Sequence, residues 1–156
     1  MEEYIIELLN PIHYDMGFLE TLSTLRKVEL DREAFGHLLN RRMQRYMLDY
    51  VLIFDQKIAS IASVYIEHKF YGKVARITDV TTGENYRHQG FGTKLVQYCL
   101  DVAQQRGCYK ATLNCNDKNV EWYRSIGFYR HENQMRKDFG FIAKIVMLLS
   151  DDKYTY

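Results

Sequence analysis

The sequence predicts an α+β fold, a mixed central sheet with helices on both faces. Three observations carry that prediction. Runs rich in β-branched and aromatic residues alternate with stretches of helical apolar spacing, in the order β-α-α-β-β-β-α-β-α-β. One proline in the whole chain, and no repeat, low-complexity stretch or linker, leave no domain boundary. Residues 1–156 therefore read as one domain, with a polar tail from about 150. Finally, the run Val74–Thr82 leads into Arg87-His88-Gln89-Gly90-Phe91-Gly92 and then a helical pattern, which is the layout of a phosphate cradle.

Taken in order, Tyr4–Leu9 reads as a first strand, stopped by Asn10-Pro11. Met16, Leu19, Leu22 and Leu25 give a helix over roughly 13 to 26. Asp31 is placed as the N-cap of a second helix, about 32 to 48, with Phe35, Leu38, Leu39, Met43, Tyr46 and Met47 on one stripe. Tyr50–Phe54 is a strand, Asp55-Gln56-Lys57 a short turn, and Ile58–Glu67 the antiparallel return. His68–Lys73 reads as a loop into the strand Val74–Thr82. Beyond the glycines, a helix from about Thr93 to Arg106 buries Leu95, Val96, Cys99, Leu100, Val102 and Ala103, and Gly107 is its C-cap. Tyr109–Cys115 is a strand and Lys118–Ser125 a short helix capped by Asn116 or Asp117. Phe128–Asp138 and Phe141–Leu149 read as terminal strands.

Composition narrows the function classes. The chain has 47% hydrophobic and 26% charged residues, so it can build a core. Lys+Arg is 21 against Asp+Glu 20, a net charge of +1 that gives no argument for nucleic acid. Arg41, Arg42 and Arg45 read as a solvated helix face. Cys99, Cys108 and Cys115 form no C-x-x-C pair, and their odd number suits a reducing compartment with mostly buried thiols. The longest apolar run, Ile145–Leu149, is too short to span a bilayer, and Glu2 and Glu3 do not fit a secretory or transit peptide. The expectation is a soluble cytoplasmic protein with no membrane or nucleic-acid partner. His13, His37, His68, His88 and His131 lack metal-ligand spacing, so no metal is expected.

Glycines at i and i+2 let a backbone turn tightly and approach an anion, and the unpaired N–H groups of a helix start point at it. On Arg87–Gly92 alone, an anion cradle and an ordinary strand-to-helix turn are both open. The wider sequence resembles the GNAT acetyltransferase superfamily, whose acyl-CoA motif is Gln/Arg-x-x-Gly-x-Gly/Ala; here it is Arg87, Gly90 and Gly92. Two further blocks resemble glucosamine-6-phosphate N-acetyltransferases. One is Ile66-Glu67-His68-Lys69-Phe70. The other is Gly107–Cys115, running on through Lys118-Asn119-Val120-Glu121-Trp122-Tyr123 to Gly127-Phe128. The resemblance covers about residues 50 to 139 well and 4 to 49 loosely, and the long second block is its specific part.

That resemblance implies the GNAT (acyl-CoA N-acyltransferase) fold and acetyl-CoA as co-substrate. It implies direct attack of the amine of D-glucosamine 6-phosphate on the thioester, without a covalent enzyme intermediate, in amino-sugar (UDP-GlcNAc) biosynthesis. Backbone N–H groups of Arg87, His88, Gln89, Gly90, Phe91, Gly92 and Thr93 would hold the pyrophosphate. Val80, Thr81 and Thr82 would pair with the pantetheine arm as with a peptide strand, and Asn114 would also hold the arm. Tyr123 is the expected acid at the leaving thiolate; a phenol near ~10 can donate to a thiolate near ~8.5 without ionising itself. Lys69, Phe70, Tyr109, Lys110 and Arg136 are the expected acceptor contacts, and an intertwined homodimer in which phosphate contacts cross subunits is implied. The sequence departs from that pattern at three places. Thr78-Asp79 stands where relatives carry Glu-Asp, Asn114 where they often carry an acid, and Asp138 where they carry a phosphate-binding Arg, for which Arg136 could substitute. Thr78 is not a base at neutral pH, and strand alternation puts Asp79 on the opposite face from Thr78. Asp79, water or backbone carbonyls remain as routes for the ammonium proton. Two rival readings stand beside this one: a GNAT enzyme for another small amine, and a non-catalytic acyl-CoA-binding domain.

Overall fold

The apolar runs assemble into one sheet in the computed structural model, which describes residues 3–139. Its strands lie in the order β1 (Tyr4–Leu8), β2 (Met47–Phe54), β3 (Lys57–Lys69), β4 (Gly72–Thr82), β5 (Cys108–Thr112). β1 to β4 pair antiparallel, and β5 joins β4 in parallel after a helical crossover. Asp55 and Gln56 both take positive φ (49° and 58°), the two-residue turn whose twist matches a hairpin.

Helices cover both faces, as expected. On one side lies α3 (Phe91–Gln105), whose Leu95, Val96, Cys99 and Ala103 pack on Leu52, Ala62, Val64, Ala75 and Ile77. On the other lie α1 (Phe18–Ser23) and α2 (Arg32–Gln44), whose Phe18, Phe35 and Leu39 pack on Val51, Ile58 and Ile61. Neighbours such as Val51 and Leu52 thus serve opposite layers, which explains why β2 and β3 read as unbroken apolar runs. Each fully buried Leu or Ile contributes roughly 1.5–3 kcal/mol.

Several boundaries differ from the sequence reading, each for a local reason. The helix expected over 13 to 26 is a 3-10 segment, Pro11–Met16, and then α1, divided at Gly17 (φ 85°). His13, fully buried, closes a capping box: its Nδ1 accepts from the Asn10 N–H (3.0 Å) and its Nε2–H donates to Glu7 (2.7 Å). α2 ends at Gln44, because Tyr46 turns to φ 61° and Met47 already pairs with Tyr65 in β2. Of the expected stripe only Phe35 and Leu39 are buried on the helix. β3 and β4 extend through the expected loop, leaving only Phe70-Tyr71 as the turn. α3 begins two residues before Thr93, and β5 stops at Thr112, so Asn114 lies outside it. The second short helix is a 3-10 turn, Asp117–Asn119, followed by α4 (Val120–Ser125). Phe128–Asp138 is not a strand: Tyr129 and Met135 are exposed, and among the described residues no strand pairs with the segment. The strand expected over 141–149 and the polar tail lie outside the described residues.

Candidate active site

The cradle is built at the start of α3. Gly90 is its N-cap at φ 79°, a conformation that strains any residue with a Cβ. The first backbone donor used within the helix is that of Lys94, to Gly90 (3.0 Å). The N–H groups of Phe91, Gly92 and Thr93 therefore lack an intrahelical acceptor and sit at the positive end of a 15-residue helix dipole. Gly92 is required by contact: a Cβ there would meet Thr82 Oγ1 at 3.1 Å and the Trp122 ring at 3.3 Å. Arg87, His88 and Gln89 are exposed at the mouth; Arg87 Nε donates to the Thr82 carbonyl (3.3 Å) and Gln89 to that of Asn85 (3.2 Å). The Phe91 side chain is buried against Phe54 (5.0 Å), leaving only its backbone to a ligand.

Beside the cradle the sheet opens. β4 pairs with β5 only from Lys73 to Arg76, while β4 continues to Thr82. Residues 77–82 thus have no strand partner on that side among the described residues. A bulge marks the same stretch: Ser63 faces Thr78 and Ile61 faces Thr81, so Ala62 alone spans Asp79 and Val80, with Asp79 at φ 54°. Thr81 bonds Thr24 (2.9 Å) and Thr82 bonds Ser60 (2.7 Å), which fixes the far end of the strand.

Tyr123 projects from α4 between Trp122 (4.5 Å) and Phe128 (5.8 Å) and is 8% exposed. Trp122 Nε1 donates to Thr93 Oγ1 (3.1 Å), tying α4 to the cradle helix. Burial first, and the neighbouring Cys115 second, push the Tyr123 phenol up to about 12. It remains a protonated donor throughout the neutral range.

On the α2 face the bulge changes the expected alternation. Asp49, Ser63 and Thr78 form a register row across β2, β3 and β4, so their side chains share a face. Arg42 reaches that row: Nε and Nη2 grip Asp49 (2.8 and 2.7 Å), and Nη2 also donates to Ser63 (3.2 Å). The same Nη2 lies 4.0 Å from Asp79 Oδ2. Asp79 is therefore on the Thr78 face, contrary to strict alternation, because the bulge inserts one residue. Arg42 is likewise no solvated surface charge; its hydrogen bonds to Asp49 raise its pKa against the opposing effect of burial. A cavity of about 90 Å3 lies here, walled by Leu22, Leu30 and Leu38 and floored by Arg42, Asp49, Ser63 and Asp79. Arg42, Asp49 and Ser63 escape a search for motifs. Their signal was positional: Arg42 is at i+7 from Phe35 and i+3 from Leu39, and Asp49 is two residues before the inward Val51.

The expected acceptor contacts are elsewhere. Lys69 pairs with Glu67 (2.5 Å), which raises the lysine pKa and lowers the glutamate's. Phe70 is fully exposed in the β3–β4 turn, and Tyr109 lies against Gly72 with Lys110 5.5 Å above its ring. These residues meet at the Gly72 end of β4, about 20 Å of strand from Asp79. Arg136 is exposed and held by Asp138 (2.6 Å). Asn114 is exposed beyond β5. The structure thus joins the cradle, Val80–Thr82, Asp79 and Tyr123's helix in one region and leaves the basic acceptor contacts outside it. Among the described residues no three His, Cys, Asp or Glu side chains cluster as metal ligands, and no helix is long and apolar enough to cross a membrane.

A strand that parts from its parallel neighbour beside a glycine-led helix start is the architecture of an acyl-CoA-dependent acyltransferase. The acetyltransferase (GNAT) family model matches residues 6–128, and the chain belongs to that family. Among its relatives is the glucosamine 6-phosphate N-acetyltransferase of Arabidopsis thaliana, 37% identical over 132 residues, covering 79% of this chain and 88% of that protein. The Dictyostelium discoideum glucosamine 6-phosphate N-acetyltransferase 1 is 29% identical over 129 residues, 78% of this chain and 82% of that one. The crystal structure of glucosamine-6-phosphate N-acetyltransferase from Arabidopsis thaliana superposes with a TM-score of 0.82 at 30% identity, covering 89% of this chain and all of that one.

Proposed function

We propose that this protein transfers the acetyl group of acetyl-CoA to the amine of D-glucosamine 6-phosphate, releasing N-acetylglucosamine 6-phosphate and CoA. The observation that carries the reading is the unpaired edge of β4 at residues 77–82, flanked by the α3 cradle and Tyr123. Acetyl-CoA, when bound, supplies a thioester activated toward an amine. The N–H groups of Phe91, Gly92 and Thr93 fit its pyrophosphate, since Gly90 and Gly92 remove the side chains that would block close approach. The β4 edge at Val80–Thr82 offers N–H and C=O groups to its amide arm, and the Val80 N–H would donate to the acetyl oxygen. Tyr123 donates a hydrogen bond to the departing sulfur. Asp79 receives the ammonium proton, so that a neutral amine attacks.

The basic contacts reach the acceptor from a second copy of the chain. Three features support a homodimer: the edge of β5, which has no further strand beside it among the described residues, the exposed Phe70, Tyr71 and Tyr109 at the Gly72 end of β4, and the exposed Tyr129, Met135 and Phe139 of the 128–139 segment. Lys69 and Lys110 then complete the partner's phosphate site. The whole chain works as one cytoplasmic domain. The Arg136–Asp138 pair and Thr78 favour one alternative, a different small amine as acceptor. Thiol release from acetyl-CoA across amino sugars, their phosphates and polyamines tests the reading. Glucosamine 6-phosphate is expected to give the highest kcat/KM; faster turnover of unphosphorylated glucosamine or a polyamine would overturn it.

A further inference from the structure

We infer that Arg42 is a positioning residue for acetyl transfer: anchored by Asp49 and Ser63, its guanidinium holds the Asp79 carboxylate at the β4 bulge, facing the acceptor. The inference rests on the proposal above that Asp79 receives the ammonium proton.

Arg42 is well suited to this task. Its anchor is rigid, because Asp49 is 5% exposed and takes Nε, Nη2 and the Ser63 hydroxyl (2.6 Å) together. A guanidinium fixed in a bidentate grip cannot swing to solvent as a surface arginine does. Its remaining reach is toward Asp79, 4.0 Å away on a half-exposed side chain. The backbone at Asp79 is held left-handed by the bulge, so the carboxylate is presented from the strand's interruption and steadied from α2. The groups facing Asp79 across the cavity are few. α2 contributes the cation Arg42, β2 the anion Asp49 and β3 the neutral Ser63, while α1 contributes the apolar Phe18 and Leu22. Among the described residues lining the cavity, Arg42 is the cation that reaches Asp79, and Asp49 is committed to it. The sequence puts threonine at 78, and a carboxylate on the same register row appears instead at Asp49.

The test uses the full-length enzyme with acetyl-CoA and glucosamine 6-phosphate. Arg42→Met alone leaves Asp49 buried and unpaired, so Arg42→Met/Asp49→Leu, which removes both charges, is the informative variant. Arg42→Lys tests rescue. The double variant is expected to lose roughly tenfold in kcat/KM for the amino sugar. Its KM for acetyl-CoA should stay within about twofold. Arg42→Lys, which keeps the charge but not the bidentate grip, should recover part of the loss but not the full rate. In an Asp79→Asn background, the double change should have no further effect beyond about twofold. Three outcomes would overturn the inference. A double variant with full kcat/KM, or losses additive with Asp79→Asn, would remove Arg42 alone and leave Asp79 in place. An Asp79→Asn enzyme with wild-type rate and pH profile would remove the Asp79 reading, and Arg42's role with it.

Discussion

Replacing Tyr123 with Phe removes one oxygen and little else. The ring stays packed between Trp122 and Phe128, and the hydroxyl has no hydrogen-bond partner among the described residues. The fold therefore loses no internal bond, and the change in stability should be about 0.5 kcal/mol or less, or around 1–2 °C in Tm for a chain of this size. The catalytic cost is larger. With the phenol at about 12, full proton transfer to a thiolate near ~8.5 is uphill by roughly 3.5 pKa units, about 5 kcal/mol. In the proposed reaction Tyr123 would therefore act by hydrogen-bonding the developing thiolate, an interaction of ~1.5–3 kcal/mol. That corresponds to a fall in kcat of roughly 10- to 150-fold, with the KM for acetyl-CoA nearly unchanged. Thiol-release kinetics and a thermal melt on the same preparation measure both. The wild-type profile should also show no alkaline limb from this group below about pH 10, since its raised pKa keeps it protonated there. A kcat within threefold of wild type would refute the role; absence of turnover with every amine in the wild-type protein would instead favour an acyl-CoA-binding domain.

Further expectations separate cofactor binding, packing and charge. Gly90→Ala meets no atom within 4 Å but forces a Cβ into φ 79°, so it should cost about 1–2 kcal/mol, measured as a 5- to 30-fold weaker acetyl-CoA Kd by calorimetry or as an equal loss of stability. Gly92→Val drives atoms into Thr82 and Trp122 and strains the Trp122–Thr93 bond; urea denaturation should show a loss of about 1–3 kcal/mol. Arg42→Met should cost about 3–5 kcal/mol, because Asp49 is left buried and charged, whereas Arg42→Met/Asp49→Leu should return to within about 1 kcal/mol of wild type by the same measurement. Burial pushes the Cys99 thiol up to about 12 from an unfolded value of 9.0. Its contribution is whole below pH 9 and is lost as pH rises toward 12, so Tm should fall across that window, and Cys99→Ala should flatten the fall while lowering Tm at pH 7.

Period and punctuation carried most of the fold into the sequence. The apolar spacing of α3, the Asp31 cap, which accepts from Ala34 N–H (2.8 Å), and the Asp55-Gln56 turn are local features with one low-energy solution. What local pattern could not state was where pairing wins over propensity. Met47 fits a helical stripe as well as a strand, and cross-strand pairing with Tyr65 decides it. Phe128–Asp138 has strand composition, but composition supplies no partner, and among the described residues it finds none. At the site, the cradle was legible because glycine chemistry is local. The Arg42–Asp49–Ser63 cluster was not, since it depends on α2 docking over β2 and β3, a contact between residues seven and more positions apart.

The bulge at Asp79 links the two halves of the site. A regular β4 would alternate, sending residue 79 toward the α3 layer, away from Thr78 and the cavity. The inserted residue returns Asp79 to the Arg42 face and leaves Val80 on the α3 side with Ala75 and Ile77. The same irregularity falls just past Arg76, where pairing with β5 ends, so the backbone that loses its strand neighbour is also the backbone that kinks. In the proposed reaction, one backbone feature would offer main-chain groups to an acyl-CoA arm and turn a carboxylate to the opposite face. The charge on the acceptor face would then not need to come from position 78: Asp79 would supply it, and Arg42, fixed by Asp49, would balance it. Deletion of Val80, which would restore regular pairing, would send Asp79 toward the α3 layer and should abolish acetyl transfer, measured by thiol release, at some cost to the α3 core that a thermal melt would read.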